Sequence, residues 1–331
     1  MIYSCPFVPA EWVRAHGFAP SRIIPPLSAE SPNAGVCGYA QAFADAAARE
    51  EDAAAIVVTT VCDQMRRSAE EIAGRVEAPV FLMNVPHTWQ TPGSHKLYRD
   101  EVERLGRFLV NLGGEQPSSH DLACVMSDFD ESRARIRDSR PLLTARQYSE
   151  LIAAFNRNPV GAKQWQIDPP NSTGPGDIAS PLQHGTVPVA IVGGPLMAES
   201  FEILDLIEQA GGFVALDGTE TGERTLPAPI DRRRLADDPL GALCDAYFGS
   251  IPDPARRPNS EFFKWLGRMI EERGIRGLIA VHYLWCETWR AEVRRIAEWS
   301  ELPLLPLDAA DNGLDPTRAK LRLEAFLEVI E

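Results

Sequence analysis

Two cysteines stand at equivalent places in two similar stretches of the chain. Cys62 follows an apolar run at residues 55–61, and Cys286 closes a similar run at residues 277–285. When the two cysteines are superposed, the helical patterns that follow them and the prolines that end these patterns also coincide. One cysteine at the end of a buried strand is usually a small apolar residue. Its repetition at the same offset favours chemistry, because thiolates are nucleophiles and metal ligands.

A third cysteine, Cys37, precedes an alanine-rich helical pattern that runs to about Glu51. A thiol at a helix N-terminus has a lowered pKa, which makes it a better ligand. Three cysteines on separate segments can hold an iron–sulfur cubane and leave one iron open as a Lewis acid. Structural zinc sites usually use a paired Cys-X-X-Cys spacing, which this chain lacks. The residues alone therefore favour iron–sulfur slightly over zinc.

Each cysteine-bearing stretch has the pattern of a βαβ unit, with a β-branched run, a helical period and a short apolar run after proline. Ligands of open parallel sheets bind outside the carboxyl ends of the strands, where Cys62 and Cys286 lie. The sequence therefore predicts two α/β domains that each offer a thiolate to a shared cleft. In a further unit of this kind, Gly193-Gly194-Pro195 lacks the spacing of a nucleotide fingerprint and predicts a tight packing turn.

The chain has 331 residues, which is more than one hydrophobic core usually serves, so two domains are expected. We assign residues 1–160 to an N-terminal α/β domain that ends in a helical section, with helices at about 94–112, 119–137 and 142–157. Residues 161–186 are rich in Pro, Gly and Ser and are assigned to a linker or surface excursion. Residues 187–331 form the predicted C-terminal α/β domain.

The composition excludes several classes of protein. A net charge of −14 argues against binding nucleic acid, whose phosphates require basic clusters. No apolar run is long enough to span a membrane. The N-terminus lacks a basic region followed by an apolar stretch, so we expect no secretory signal and a cytoplasmic location. In that compartment the six cysteines should be mostly reduced.

Short motifs along almost the whole chain occur in a recognisable order. They are Tyr3-Ser-Cys-Pro-Phe-Val-Pro-Ala-Glu-Trp12, Cys37 before the alanine-rich helix, Thr60-Val-Cys62-Asp-Gln-Met-Arg-Arg67, Asn84-Val-Pro86, Tyr98-Arg-Asp-Glu-Val-Glu-Arg-Leu105, Gly193-Gly-Pro195, Trp285-Cys286-Glu-Thr-Trp289 and Arg322-Leu-Glu-Ala-Phe-Leu-Glu328. The ordered set resembles the 2-hydroxyacyl-CoA dehydratase and benzoyl-CoA reductase family. It is similar to the iron–sulfur subunits of the type of the 2-hydroxyglutaryl-CoA dehydratase D-component.

The resemblance implies two flavodoxin-like domains with a [4Fe–4S] cluster between them, bound by Cys37, Cys62 and Cys286. It also implies a homologous second subunit in a heterodimer or larger assembly, a CoA thioester substrate, and a separate ATP-dependent iron–sulfur activator that supplies a low-potential electron. In the dehydratases that electron makes a ketyl radical from the thioester carbonyl, which acidifies the β-proton and lets the α-hydroxyl group leave. In the reductases related electrons enter an aromatic ring, and the sequence leaves this choice open.

Five further residues carry expectations of their own. Ser4 and His87 are candidate catalytic contacts to the substrate. Cys5 is a candidate fourth ligand: if it binds the fourth iron, the cluster is closed and transfers electrons, and if it does not, the iron is open to substrate. Cys124 and Cys244 fall on predicted helices and are expected to be buried structural thiols.

Two alternatives remain beside this function. One is a double-cubane reductase of small molecules, which would need about six cysteine ligands. The other is an electron-relay subunit without its own substrate site. The second is favoured by the start of the chain almost at the Tyr3 motif, where many family members carry additional helices that help to roof the active site.

Overall fold

The computed structural model describes residues 1–28, 35–161, 187–309 and 313–331. The predicted linker at 161–186 therefore lies outside the described residues except for its first position, and the predicted domain boundaries stay a prediction. Within the described ranges, no helix combines the length and apolarity that a membrane span requires.

Two four-stranded, all-parallel sheets organise the chain. The N-terminal sheet has the spatial order β2-β1-β3-β4 and the C-terminal sheet the order β6-β5-β7-β8. The strands are β1 (Ile2–Tyr3), β2 (Ser21–Arg22), β3 (Ile56–Thr59), β4 (Val80–Met83), β5 (Val187–Gly193), β6 (Gly212–Gly218), β7 (Gly277–Tyr283) and β8 (Leu304–Ala309). Both orders match the start of the flavodoxin-like arrangement, in which the second strand lies outside the first. The predicted fold class is confirmed.

Twelve helices surround the sheets in the described part of the chain. They are α1 (Ala10–Ala15), α2 (Gly38–Arg49), α3 (Asp63–Ala73), α4 (Pro92–Asn111), α5 (Ser119–Ser139), α6 (Ala145–Arg157), α7 (Glu202–Gln209), α8 (Arg232–Asp237), α9 (Pro239–Cys244), α10 (Ser260–Arg273), α11 (Glu287–Trp299) and α12 (Pro316–Ile330). Helices α4, α5 and α6 form the predicted helical section.

Local sequence explains where these elements begin. Helix α6 starts later than the predicted residue 142 because Thr144 and Gln147 form a reciprocal capping box at its N-terminus. The strand β7 is a continuous apolar run because all seven of its residues are buried, as parallel strands covered on both faces require. The strand β1 escaped prediction because it contains only two residues.

The two halves of the chain share one hydrophobic core. Leu243, Tyr247 and Phe248 lie in the predicted C-terminal domain, yet they pack in the same cluster as Trp12 and Tyr98 of the N-terminal half. The ring of Phe248 stacks on Tyr98, with 4.9 Å between ring centroids. This shared core holds the two sheets in a fixed relation, so that the carboxyl ends of their strands can border a common cleft.

Candidate functional site

The cleft that we call the cysteine cleft lies where both sheets reverse their strand order. The loops after β1 and β3 supply Cys5 and Cys62, and the loops after β5 and β7 supply Pro195 and Cys286. In doubly wound sheets this switch point is the usual place for a ligand. Here the switch points of two sheets face one cleft, with an empty volume of about 690 Å³ that includes its opening to solvent.

Three of the cleft cysteines hold the same local position. Cys37, Cys62 and Cys286 are the N-cap residues of α2, α3 and α11. In each case the cysteine carbonyl accepts the first helical hydrogen bond, from the N–H four residues on, at 2.9–3.0 Å. Three helix N-termini therefore point their positive ends into the cleft, which suits it to a negatively charged group.

Burial is the main cause of the pKa shifts of two of these thiols, Cys62 and Cys286. It raises the pKa of Cys62, although the backbone N–H groups of Met65 and Gln64 at the start of α3 oppose the shift. Burial raises the pKa of Cys286 further, the Trp289 N–H opposes this, and the nearby Cys37 and Cys62 add to the rise because like charges repel. The metal-free thiols of Cys62 and Cys286 are therefore neutral near pH 7, and a bound metal would displace their protons.

Cys5 and Ser4 also line the cysteine cleft, directly after β1. Burial raises the pKa of Cys5 to about 12; the nearby Glu220 carboxylate adds to this rise, and the Thr59 hydroxyl and the Phe7 N–H counter it. The carbonyl of Ser4 accepts a hydrogen bond of 2.6 Å from Nε of Arg22. The cleft thus contains four cysteine side chains, three of which cap helices.

His87, the other candidate contact to substrate, lies outside the set of residues that line the cleft. Its side chain is exposed, and its Nε2 lies 3.2 Å from the carbonyl oxygen of Thr60. The structure thus brings Ser4 together with the cysteines and leaves His87 on the surface.

The two remaining cysteines differ from each other. Cys244 is buried in the core cluster shared by the two halves, as predicted. Cys124 is exposed, so the prediction of a buried thiol is wrong at this position. It lies on the solvent side of α5, with its sulfur 3.6 Å from Nε2 of His120 one turn earlier. The apolar face of α5 instead presents Leu122 and Met126 to the core.

Sequence reasoning missed a set of charged groups beside the cysteines. Glu220 and Asp253 line the cleft, and each has an arginine neighbour. Nη2 of Arg22 donates to the Glu220 carbonyl at 2.8 Å and lies 3.9 Å from its carboxylate, while Arg224 pairs with Asp253 at 2.9 Å. Glu220 follows β6 in a segment with the composition of a surface loop. The end of a parallel strand was the signal that could have marked it.

Burial is the main reason why the pKa of Glu220 is raised, to about 7. Repulsion from Asp253 adds to the shift, and attraction to Arg22 and Arg224 opposes it. Such a carboxyl group is poised near neutral pH to hold or release a proton inside the cleft.

An iron–sulfur cubane fits this arrangement of residues. Within the described residues, no three His, Cys, Asp or Glu side chains converge closely enough to hold a single metal ion. Cubane ligands need not converge in this way, because each cysteine binds a different iron. Four cysteines line one cleft, and three helix N-termini suit the negative charge of a thiolate-bound cluster.

Comparison with known proteins places the chain in a family. The family model of the 2-hydroxyglutaryl-CoA dehydratase D-component matches residues 5–330. The chain therefore belongs to the 2-hydroxyglutaryl-CoA dehydratase D-component family. It is also similar to YjiM of Escherichia coli (strain K12), a protein provisionally named as a dehydratase subunit. The two are 21% identical over 300 residues, which cover 83% of this chain and 74% of YjiM.

Proposed function

We propose that this protein is the [4Fe–4S] subunit of a 2-hydroxyacyl-CoA dehydratase or an aryl-CoA reductase-type enzyme. Cys37, Cys62 and Cys286 are the proposed cluster ligands. The observation that carries the proposal is the equivalence of the three: each caps a helix, and all three line one cleft between two parallel sheets. Membership of the dehydratase family supports the reaction class.

When bound, the cluster would supply single-electron transfer and, at an iron without a protein ligand, a Lewis acid for a thioester carbonyl. The protein's own groups hold and surround it. The helix N–H groups stabilise the thiolate charge, and Tyr39, Tyr283 and Trp289 wall the cleft with aromatic side chains that limit access of water. Glu220 can hold a proton at its carboxylate near neutral pH.

Cys5 and Ser4 are the proposed additional groups of the site, beside the three cluster ligands. Both lie after β1 and line the cleft, so Cys5 is available as a fourth ligand and Ser4 as a contact to the substrate. A fourth cysteine ligand would close the cluster and restrict it to electron transfer. The role of His87 as a contact to the substrate stays a prediction, and its exposed position gives that role no further support.

The proposal extends to partners. A D-component belongs to a multi-subunit enzyme, so we propose a homologous second subunit and an ATP-dependent iron–sulfur activator as the electron donor. The substrate would be a CoA thioester, and the compartment the cytoplasm, where thiols stay reduced.

Two further functions remain candidates. A double-cubane reductase would need about six cysteine ligands, but Cys244 lies in the apolar core and Cys124 is exposed on α5, away from the cleft lining. This arrangement favours one cubane. An electron-relay subunit without a substrate site would use the same three ligands, and closure of the cluster by Cys5 would favour it.

The first test is the metal content of anaerobically purified protein. We expect about four irons and about four sulfides per chain. Replacing Cys37, Cys62 or Cys286 by serine should remove most of the iron, whereas the control Cys124→Ser should leave it unchanged. About eight irons would favour the double cubane, and the absence of iron from the purified, reconstituted protein would refute the proposal.

The second test separates an active subunit from a relay. Addition of a 2-hydroxyacyl-CoA or an aryl-CoA to the reduced protein should change the electron paramagnetic resonance spectrum of the cluster if an iron is open to substrate. The variant Cys5→Ser should change the spectrum of the free protein if Cys5 is a ligand. An unchanged spectrum with both kinds of thioester would favour the relay.

A further inference from the structure

A buried arginine that forms no salt bridge within the described residues marks a second cleft on this protein. The Arg256 residue is only 5% exposed, and it forms no salt bridge with any carboxylate of the described residues. Its Nη1 donates to the carbonyl oxygens of Phe248 and of Ile251, the latter at 3.1 Å. Its Nε is buried and has no hydrogen-bond partner among the described residues.

Two other buried arginines of the described chain form close salt bridges. Arg133 pairs with Glu11 at 2.6 Å, and Arg224 pairs with Asp253 at 2.9 Å. Arg256 instead rests on aromatic faces; its guanidinium carbon lies 4.7 Å from the Phe248 ring centroid and 5.2 Å from that of Trp89. Burial lowers the pKa of Arg256 to about 10, although attraction to the more distant carboxylates of Asp253 and Glu261 opposes the shift, and Arg256 is still charged at pH 7. A buried cation of this kind is costly unless an anion joins it.

The arginine lines a cleft that is rich in cations. This Arg256 cleft lies between the turn at residues 249–252 and one side of α10, which contributes Lys264, Trp265 and Arg268. Its empty volume is about 780 Å³, including open space. The one acidic side chain among its lining residues, Glu261, is already paired with Lys264 at 2.7 Å. Arg268 lies 3.9 Å from the carboxylate of Glu272, which is not among the lining residues. Three cations and a partly buried indole therefore line the cleft, and Arg256 is the cation without a salt bridge in the described part of the chain.

The Arg256 cleft and the cysteine cleft adjoin the same segment of chain, at residues 252–256, and share lining residues with a hollow between them. Asp253 lines both the cysteine cleft and a small hollow next to it. Pro252, Arg256 and Glu261 line both that hollow and the Arg256 cleft. A long ligand could therefore follow the segment at residues 252–256 from one cleft to the other.

We propose that the Arg256 cleft binds a phosphorylated nucleotide, with the phosphate among Arg256, Lys264 and Arg268 and the base against Trp265. Guanidinium and ammonium groups are the usual partners of phosphate, and an indole face is a usual partner of a base. The source of the nucleotide rests on the proposed function: the 3′-phospho-ADP end of a CoA thioester would lie here while its acyl end reached the cysteine cleft. A free adenine nucleotide offers the same chemistry.

The proposal is tested by isothermal titration calorimetry on the anaerobically purified full chain. The probes are adenosine 3′,5′-bisphosphate, CoA, dephospho-CoA and ATP, with inorganic phosphate as the minimal anion. The double variant Lys264→Ala/Arg268→Ala removes two exposed side chains, so it should fold normally. It should weaken binding of the nucleotide probes about tenfold or more, because it deletes two charge-assisted contacts.

The matched control is the double variant Lys96→Ala/Arg294→Ala. These residues are as exposed as Lys264 and Arg268 and form comparable pairs along their own helices, but they lie away from the Arg256 cleft. It should bind the probes as the unmodified protein does. Nucleotide probes that do not bind, or that bind both double variants equally, would overturn the proposal. Binding of inorganic phosphate without any gain from the nucleoside would overturn the role of Trp265 and with it the nucleotide.

The choice of probes also distinguishes the nucleotide end of CoA from a free nucleotide. Tighter binding of CoA and adenosine 3′,5′-bisphosphate than of dephospho-CoA and ATP identifies the 3′-phosphate of CoA, and the reverse order identifies a free nucleotide. Iron content is measured on the same samples. A protein that binds nucleotide but holds no iron supports the Arg256 cleft and refutes the cluster, so the two proposals fail independently.

Discussion

Cys62 and Cys286 occupy corresponding positions in two sheets of the same topology. Each is the N-cap of the helix that follows the third strand in the spatial order of its sheet, and both line the cysteine cleft. A strand end at a switch point is where an open sheet can present a side chain to a ligand, so the correspondence supports the proposed shared role of the two cysteines. The two halves thereby contribute equivalent groups to one site.

A buried ion pair of the N-terminal half binds a tyrosine of the C-terminal half at their junction. Glu11 and Arg133 are paired at 2.6 Å, and the hydroxyl of Tyr247 contacts both, at 2.6 Å and 2.9 Å. Replacing Glu11 by glutamine leaves the Arg133 charge buried without its counter-ion. We expect a loss of about 3–5 kcal/mol in the free energy of unfolding, measured by urea denaturation.

Two further variants calibrate this prediction. Tyr247→Phe removes one hydrogen-bonding group and should cost about 1–3 kcal/mol. The surface variant Lys96→Ala, at an exposed pair with Asp100, should cost less than about 1 kcal/mol. If Glu11→Gln were no more destabilising than Lys96→Ala, the ion pair would not be what holds the junction.

Gly193 allows the two central strands of the C-terminal sheet to approach each other. A Cβ at this position would lie 2.2 Å from the carbonyl oxygen of Val281 in β7. Gly193 is the last residue of β5, so this close approach is between strands, and the tight turn at Gly193-Gly194-Pro195 stays a prediction. Gly193→Ala must push β5 from β7 and should cost about 1–3 kcal/mol of stability. Both glycine variants are measured by urea denaturation. At Gly93 in α4 the nearest atom lies 3.8 Å away, so the control Gly93→Ala should be neutral or slightly stabilising.

Most of the fold could be read from periodicity and strand chemistry, since long amphipathic helices and apolar runs are local signals. The same holds for the helix-capping cysteines, whose position follows from the order strand, cysteine, helix. Long-range packing has no comparable local signal in the sequence. Tyr247 packs in the N-terminal core, and Glu220 lines the cleft. Both placements depend on contacts between residues far apart in the chain.

Cys124 illustrates the limit of helical periodicity. The sequence pattern of α5 shows only a weak contrast between an apolar and a polar face, so it did not reveal that the Cys124 thiol is exposed.

In the folded protein at pH 8, we expect iodoacetamide to modify Cys124 first. Burial raises the pKa of Cys5 and Cys244 to about 12, which keeps them as unreactive thiols. Peptide mass spectrometry after short labelling should show one fast site, which Cys124→Ser abolishes; fast labelling of Cys244 would contradict the packed core.

Glu220 should make stability depend on pH. Burial raises its pKa from 4.5 to about 7, so between these values the folded state binds more protons than the unfolded state. Stability contributed by protonated Glu220 is therefore full below about pH 4.5 and is lost as the pH rises through about 7. Glu220→Gln keeps the backbone contact to Arg22 and removes the titration. The urea midpoints of the unmodified protein and of Glu220→Gln are measured from pH 5 to 8. As the pH rises, the midpoint of the unmodified protein should fall relative to that of the variant. A difference that stays constant across this range would mean that Glu220 is ionised throughout and that Arg22 and Arg224 outweigh its burial.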